Sequence, residues 1–209
     1  RRAGFDNVMC TPESASDTTL ASLQKGFKRE HVVRAAKHLA AAGLHTFWFF
    51  LLGAPGETLE TVRETLDFCE RHVPPTDMVL FTTGIRVHPG TPLELTLKES
   101  GWFSQDDPLF EPSWYLSPEL DLETLYRTLV RAAEAHPNWM TNAETVMSPR
   151  LASLVKRGLH AVGLRRPFWT RLPQLFDVTT KLGVRRLDLA RNEKRVVGDG
   201  EVRHRRPLS

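Results

Sequence analysis

Apolar positions along the chain follow two alternating rhythms, one of period two and one of period 3.6. Phe5 to Cys10 alternates as a strand does. A short helix is predicted after TPESASD, with Asp17 as its cap, Leu20 and Leu23 on its apolar side and Gly26 as its end. From Lys28 to Ala42, the residues Val32, Val33, Ala36, Leu39 and Ala40 fall on one helical face, and Gly43 is a stop. His45 to Leu52 (HTFWFFLL) is apolar throughout and short. That is the pattern of a strand covered on both faces, as in a parallel sheet between helices. A buried helix is the rival reading, but Gly53 and Pro55 cut it too short. Thr58 caps the next helix, and Glu60 in its first turn suits the dipole. Leu59, Val62, Leu66 and Cys69 share its face until Pro74-Pro75. Asp77 to Gly90 reads as one strand leaving through a turn, with a short helix from about Pro92.

The order is therefore strand, helix, strand, helix, strand at intervals of roughly 30–40 residues, the signature of βαβ units with right-handed crossovers. After Gly101 the pattern changes. WFSQDDPLFEPSWYLSP is aromatic, broken by proline and reads as an ordered loop. Ser117-Pro118 starts a helix carrying Leu122, Leu125, Leu129 and Ala133 as far as His136-Pro137, which reads as a helix-ending turn. Two basic amphipathic helices are expected over about 149–162 and 167–182, and a frayed tail from Arg191.

Composition changes this picture little. The chain has 209 residues, 41% hydrophobic and 25% charged, enough to bury a core. A net charge of +3 is too small to argue for a nucleic-acid partner. Lys and Arg crowd the region after Ser148, and Phe168, Trp169, Leu172 and Leu175 interleave with them. Such a tail could rest on an acidic membrane surface, consistent with a lipid-like substrate, but packing onto the domain is the stronger expectation. No apolar run approaches the roughly 20 residues that span a bilayer. No secretory signal opens the chain. The two cysteines, Cys10 and Cys69, have no metal spacing and read as free thiols in a reducing cytoplasm.

In parallel sheets, ligands bind beyond the carboxyl ends of the strands. Three polar turns hold that place. After the first strand stand Glu13 and Ser14, which suit a ribose diol or an ammonium group and equally suit an N-cap cluster. After the second strand comes Gly53-Ala54-Pro55-Gly56-Glu57. Its glycines would let a ligand approach the main chain, or it is an ordinary strand-to-helix connection. After the third come Arg86 and His88. Arg86 could hold a carboxylate bidentately or make a structural ion pair. No GxGxxG, P-loop, HExxH or GxSxG motif is present.

PESASDTTLASLQKGF, then AGLHTFWFFLLGAPGETLETVRETLDF, then TTGIRVHPGTPLE resemble the second half of the radical S-adenosylmethionine (SAM) enzyme core. The likeness is strongest to the group with a cobalamin-binding domain ahead of it. The resemblance implies an α/β fold: the second half of a partial (β/α)6 TIM-like barrel with parallel strands over residues 1–118. A helical carboxy-terminal extension over 119–190 and a basic tail over 191–209 would follow. It also implies SAM contacts at Glu13 with Ser14, at Leu51, Gly53, Pro55, Gly56 and Glu57 beside the adenine, and at Ile85 and Arg86 bordering the adenine and the substrate end, with Pro89 and Gly90 in the same turn. Enzymes of this family cleave SAM at a 4Fe-4S cluster to a 5′-deoxyadenosyl radical. Those with cobalamin methylate unactivated carbon or phosphorus, or rearrange rings. The CxxxCxxC loop that holds the cluster is missing from this sequence. Strand four in the family also leads with Gly, where this chain has Pro12. The chain opens on Arg1-Arg2-Ala3, so the expectation is a longer protein whose upstream half carries the cluster, and a stretch that is inactive by itself. A small-molecule substrate, or a lipid-like one, would enter near the tail. Two rivals stand beside this reading: a non-radical barrel enzyme using Arg86 to hold an anionic metabolite, and a non-catalytic α/β module docking through its basic helices.

Overall fold

The computed structural model describes residues 2–110 and 112–141, with 153, 157, 158, 161, 168–171, 195–198 and 201–204. Strand β1 (Asn7–Glu13) leads through α1 (Asp17–Ser22) and α2 (Arg29–Ala41) to β2 (His45–Leu52). Helix α3 (Leu59–His72) returns the chain to β3 (Met78–Thr83). These three strands pair in parallel, Val8 beside Thr46 and Phe50 beside Phe81. The chain then leaves this sheet through β4 (Ile85–Val87), α4 (Pro92–Glu99) and β5 (Ser113–Tyr115). It comes back through α5 (Leu122–Ala135) to β6 (Trp139–Thr141), which adds in parallel beside β3. The order β1-β2-β3-β6, with helices packed on one face, is a partial TIM-like barrel wall.

The helix-side core explains why the strands are so apolar. Trp48, Phe50 and Leu52 alternate inward from β2 onto Val62, Phe68 and Cys69 of α3 and Val32 and Ala36 of α2, all nearly inaccessible. Phe68 meets Trp48 and Phe50 edge-on, with ring centroids 5.9 and 6.0 Å apart. Burying each such side chain stabilises the fold by about 1.5–3 kcal/mol. Leu125, Leu129 and Ala133 of α5 join the same core, as does Trp139 of β6. The segment expected to begin a helical extension at residue 119 thus completes the barrel wall.

The opposite face of β2 corrects the expectation of a strand covered on both sides. His45, Phe47, Phe49 and Leu51 are only half-buried, and Met9 beside Phe47 is 63% exposed. This is the interior face of the partial barrel. Its apolar character is what a barrel interior demands, and that made the sequence read as doubly buried. Phe47 stacks on Phe49, and Trp169 lies against Phe47 at 5.4 Å. A short 3-10 helix, Phe168–Arg171, carries that tryptophan. This contact is the packing alternative for the tail; the helices expected over 149–162 and 167–182 otherwise fall outside the described residues.

The amino-terminal edge is tied by Asp77. Its buried carboxylate accepts from Thr46 N (3.0 Å) and Trp48 Nε1 (3.3 Å), and its carbonyl accepts from Asn138 Nδ2 (2.9 Å). One residue thereby links β2, β3 and the approach to β6, and burial pushes its carboxyl pKa up.

Asp77 to Gly90 is not one strand. Gly84, at φ 81°, ends β3, and β4 pairs antiparallel with β5 in a second sheet. That sheet continues through β7 (Arg195–Gly198) and β8 (Glu201–His204), a hairpin in the stretch expected to fray. Val87, Leu97, Phe103, Leu109 and Tyr115 form its own small core.

Candidate functional site

Because β1, β2 and β3 run parallel, their carboxyl ends share one edge. Glu13 lies beside Phe50 in the ladder, and Leu52 beside Thr83. Gly84 N donates to Leu52 O at 2.7 Å, which brings the β3 exit against the β2 exit. Glu13, Gly53 and Gly84 therefore stand on a common rim. Arg86 lies two residues further along, on β4 of the second sheet, exposed and without an ion pair among the described residues. Ile85, half-buried, begins that strand beside Tyr115.

Glu57 turns inward, away from any ligand on the exposed tip. It is completely buried, and its carboxylate accepts from Gly53 N at 2.5 Å, Ala54 N at 3.0 Å and Thr19 Oγ1 at 3.4 Å. Burial raises its pKa, and these three donors pull it back down. The motif that the sequence presents as a polar ligand-facing turn is thus clamped from within by its own acid. Thr58 caps α3 as expected, accepting from Thr61 N. Pro55 and Gly56 form the accessible tip, and Leu51 faces the barrel interior, half-buried.

Gly53 has a different use from the one its position suggests. A Cβ there would meet Leu116 Cδ1 at 2.7 Å and Gly84 Cα at 3.4 Å, and its φ is 112°. The space that glycine leaves is filled by the chain itself. Gly53 O also accepts from Ser117 N at 3.0 Å, so the segment after β5 straps across the β2 exit. Gly56 (φ 71°) has open space around it.

Ser14 is fully buried. Its hydroxyl lies 3.1 Å from Thr65 Oγ1 and accepts from Ser16 N, while Ala15 N donates to the same threonine. It thus joins the β1 exit to α3. Asp17 does not cap its own helix, whose N-cap position is Ser16; its carboxylate accepts from Arg29 N at 2.7 Å, at the start of α2. Glu13 pairs with Lys25, Nζ to Oε2 2.6 Å. Lys25 and Thr19, both in contact with rim acids, were not among the sequence candidates. The Glu57–Thr19 link spans 38 residues and leaves no local signature.

The chain does not fit an iron–sulfur cluster. Its two cysteines occupy separate places: Cys10 pairs beside Trp48 in the sheet and Cys69 lies fully buried in α3. Burial pushes both thiols up, away from the thiolate a cluster needs. Among the described residues no group of three or more His, Cys, Asp or Glu could hold a metal ion. No helix among them is long and apolar enough to cross a membrane.

Comparison with known proteins agrees with this architecture. The chain is similar in fold to a radical S-adenosylmethionine methyltransferase, TsrM from Kitasatospora setae, solved with cobalamin and a [4Fe-4S] cluster bound. The TM-score is 0.60 at 18% identity, over 88% of this chain and 43% of that one. The chain thus spans less than half the length of that protein. An archaeal Elp3 from Methanocaldococcus infernus with an N-terminal deletion aligns with a TM-score of 0.45 at 19% identity, over 78% of this chain and 38% of that one. No curated protein sequence matches this one. Residues 1–69, from β1 through most of α3, match the model of the Radical SAM superfamily.

Proposed function

We propose that the chain is the carboxy-terminal part of a radical SAM enzyme core and receives the SAM nucleoside at the rim where β1, β2 and β3 end. The observation that carries this reading is the match of residues 1–69 to the superfamily, on strands whose carboxyl ends converge. In this reading Glu13 offers its carboxylate at the rim, and the Pro55-Gly56 tip and Leu51 border the adenine. Glu57 does not touch the ligand but holds the Gly53 turn in shape. Ile85 and the exposed Arg86 stand toward the substrate end.

The 4Fe-4S cluster belongs to residues of the protein other than these, since this chain has only Cys10 and Cys69. Cobalamin-linked methyl transfer, or ring or carbon rearrangement, is the finer form of the proposal. The half-buried interior face, with Phe49, Leu51 and Leu80, suits a small apolar or lipid-like substrate.

SAM binding to the full protein, followed by calorimetry without oxygen, tests the reading. Leu51→Glu, which places a charge on the interior face, should weaken binding at least about tenfold, equivalent to roughly 1.4 kcal/mol. Leu95→Glu on exposed α4 should not change it. No binding by the unaltered protein, or equal binding by Leu51→Glu, overturns the proposal. Iron and cobalamin content of the same preparation separates the cobalamin-linked form from a cluster-only one.

A further inference from the structure

Strands β4 and β5 set a cation and an indole side by side at the rim. They pair antiparallel with Arg86 directly opposite Trp114. Residues opposed in this way leave the same face of a sheet, with Cβ atoms about 5 Å apart. The alternate positions Val87, Ser113 and Tyr115 are buried, and Val87 and Tyr115 belong to the small core beneath. Strand alternation therefore turns Arg86 and Trp114 to the other face, where Arg86 is exposed and Trp114 half-buried. Strand β7 pairs along the second edge of β5, so Trp114 stands on an inner strand of the sheet. The indole also reaches the exit of β3. A Cβ on Gly84 would meet Trp114 Cβ at 3.0 Å and Cδ1 at 3.6 Å, and Gly84 N is bonded to Leu52 O at the exit of β2. Arg86 has no ion pair among the described residues, so its charge there is not neutralised by a carboxylate of the described chain.

We infer that Trp114 and Arg86 form a substrate subsite at the rim that takes a planar aromatic carboxylate. The inference rests on the SAM reading above and names the class of molecule that would lie next to the nucleoside. Trp114 falls outside the three family-like stretches, and its place beside Arg86 comes from strand pairing across 28 residues. An indole offers a flat face on which an aromatic ring stacks with an offset. A guanidinium at its side binds a carboxylate through two parallel N–H donors. The two demands together select a ring and an anion in one small molecule. A saturated acid loses the stacking, and a neutral aromatic loses the ion pair. Because β4 and β5 are locked by the buried residues of their opposite face, the two side chains start from fixed, adjacent strand positions, which lowers the ordering cost of binding.

The test titrates three probes into the full protein with SAM present and oxygen excluded: naphthalene-2-carboxylate, its neutral carboxamide, and the saturated decahydronaphthalene-2-carboxylate. The unaltered protein should bind the aromatic acid more tightly than either of the others. Arg86→Met should weaken the aromatic acid about fivefold and the carboxamide less than about twofold, the size expected of one ion pair at an exposed guanidinium. Trp114→Leu should weaken the aromatic acid about fivefold and leave the saturated acid within about twofold, whereas Trp114→Phe, which keeps a ring, should lose less. Arg86→Met changes an exposed side chain, so the charge arm decides the matter even where Trp114→Leu fails to fold. No binding of the aromatic acid by the unaltered protein overturns the inference. So does an equal loss for acid and carboxamide in Arg86→Met, or an equal loss for aromatic and saturated acid in Trp114→Leu. In each of these cases SAM binding by the same preparation leaves the SAM reading standing. Failure of the unaltered protein to bind SAM overturns that reading and the inference with it.

Discussion

Replacing Glu57 by leucine removes the acceptor of two buried backbone N–H groups while keeping an apolar side chain of similar length in place. Gly53 N and Ala54 N then have no acceptor in the turn. Each orphaned donor costs about 1–3 kcal/mol, so their joint loss is roughly 2–6 kcal/mol. The Thr19 hydroxyl, at 3.4 Å, adds little. Leucine escapes the desolvation that pushes the Glu57 pKa up, which offsets part of this. The donors dominate because they stay buried in the same turn, and a net destabilisation of about 1–4 kcal/mol is expected. Urea unfolding followed by far-ultraviolet circular dichroism measures it. Glu57→Gln keeps one acceptor oxygen and should lose about 1 kcal/mol. pH supplies a second arm. A carboxyl whose folded pKa is raised binds more protons in the native state than in the unfolded one. Its contribution is complete below the ordinary glutamate value and is lost as pH rises through the raised one. The unaltered protein should therefore lose stability relative to Glu57→Gln as pH climbs through that window. An unfolding midpoint for Glu57→Leu equal to that of the unaltered protein, or a pH trend of opposite sign, refutes the clamp.

Gly53→Ala should cost about 2–4 kcal/mol, combining backbone strain with overpacking against Leu116. A double-mutant cycle with Leu116→Ala should recover the steric share and leave the share due to φ 112°. Asp77→Ala leaves Thr46 N and the Trp48 indole without their acceptor and should destabilise by about 2–4 kcal/mol, read as a lower urea midpoint. Asp77→Asn, with one acceptor retained, should lose roughly half as much.

The elements that sequence reading located are those whose signal is repeated within the element. Helix α3 presents Val62, Phe68 and Cys69 to the core and starts at its Thr58 cap; β2 ends at Leu52, directly before the Gly53 turn, where the turn chemistry said it would. Strands β5 and β6 escaped because three residues hold too little alternation to register. What makes them strands is a partner far along the chain, Arg86 for Trp114 and Leu80 for Met140. The break of the third strand at Gly84 has the same origin. His136-Pro137 does end a helix, but the next residues enter the barrel sheet, a fact that only β3 supplies.

The site divides in the same way. By itself the sequence determined that polar, glycine-bearing turns follow apolar strands, because strand period, caps and turn residues are local properties. Tertiary structure decided the direction of each side chain at those turns. Glu57 points inward because Gly53 N, Ala54 N and Thr19 converge on it; Ser14 points inward because Thr65 meets it; Gly53 is glycine because Leu116 occupies the space a Cβ would take. Each of these outcomes depends on partners brought together by parallel pairing and the strap after β5, and no local pattern encodes an encounter across that distance.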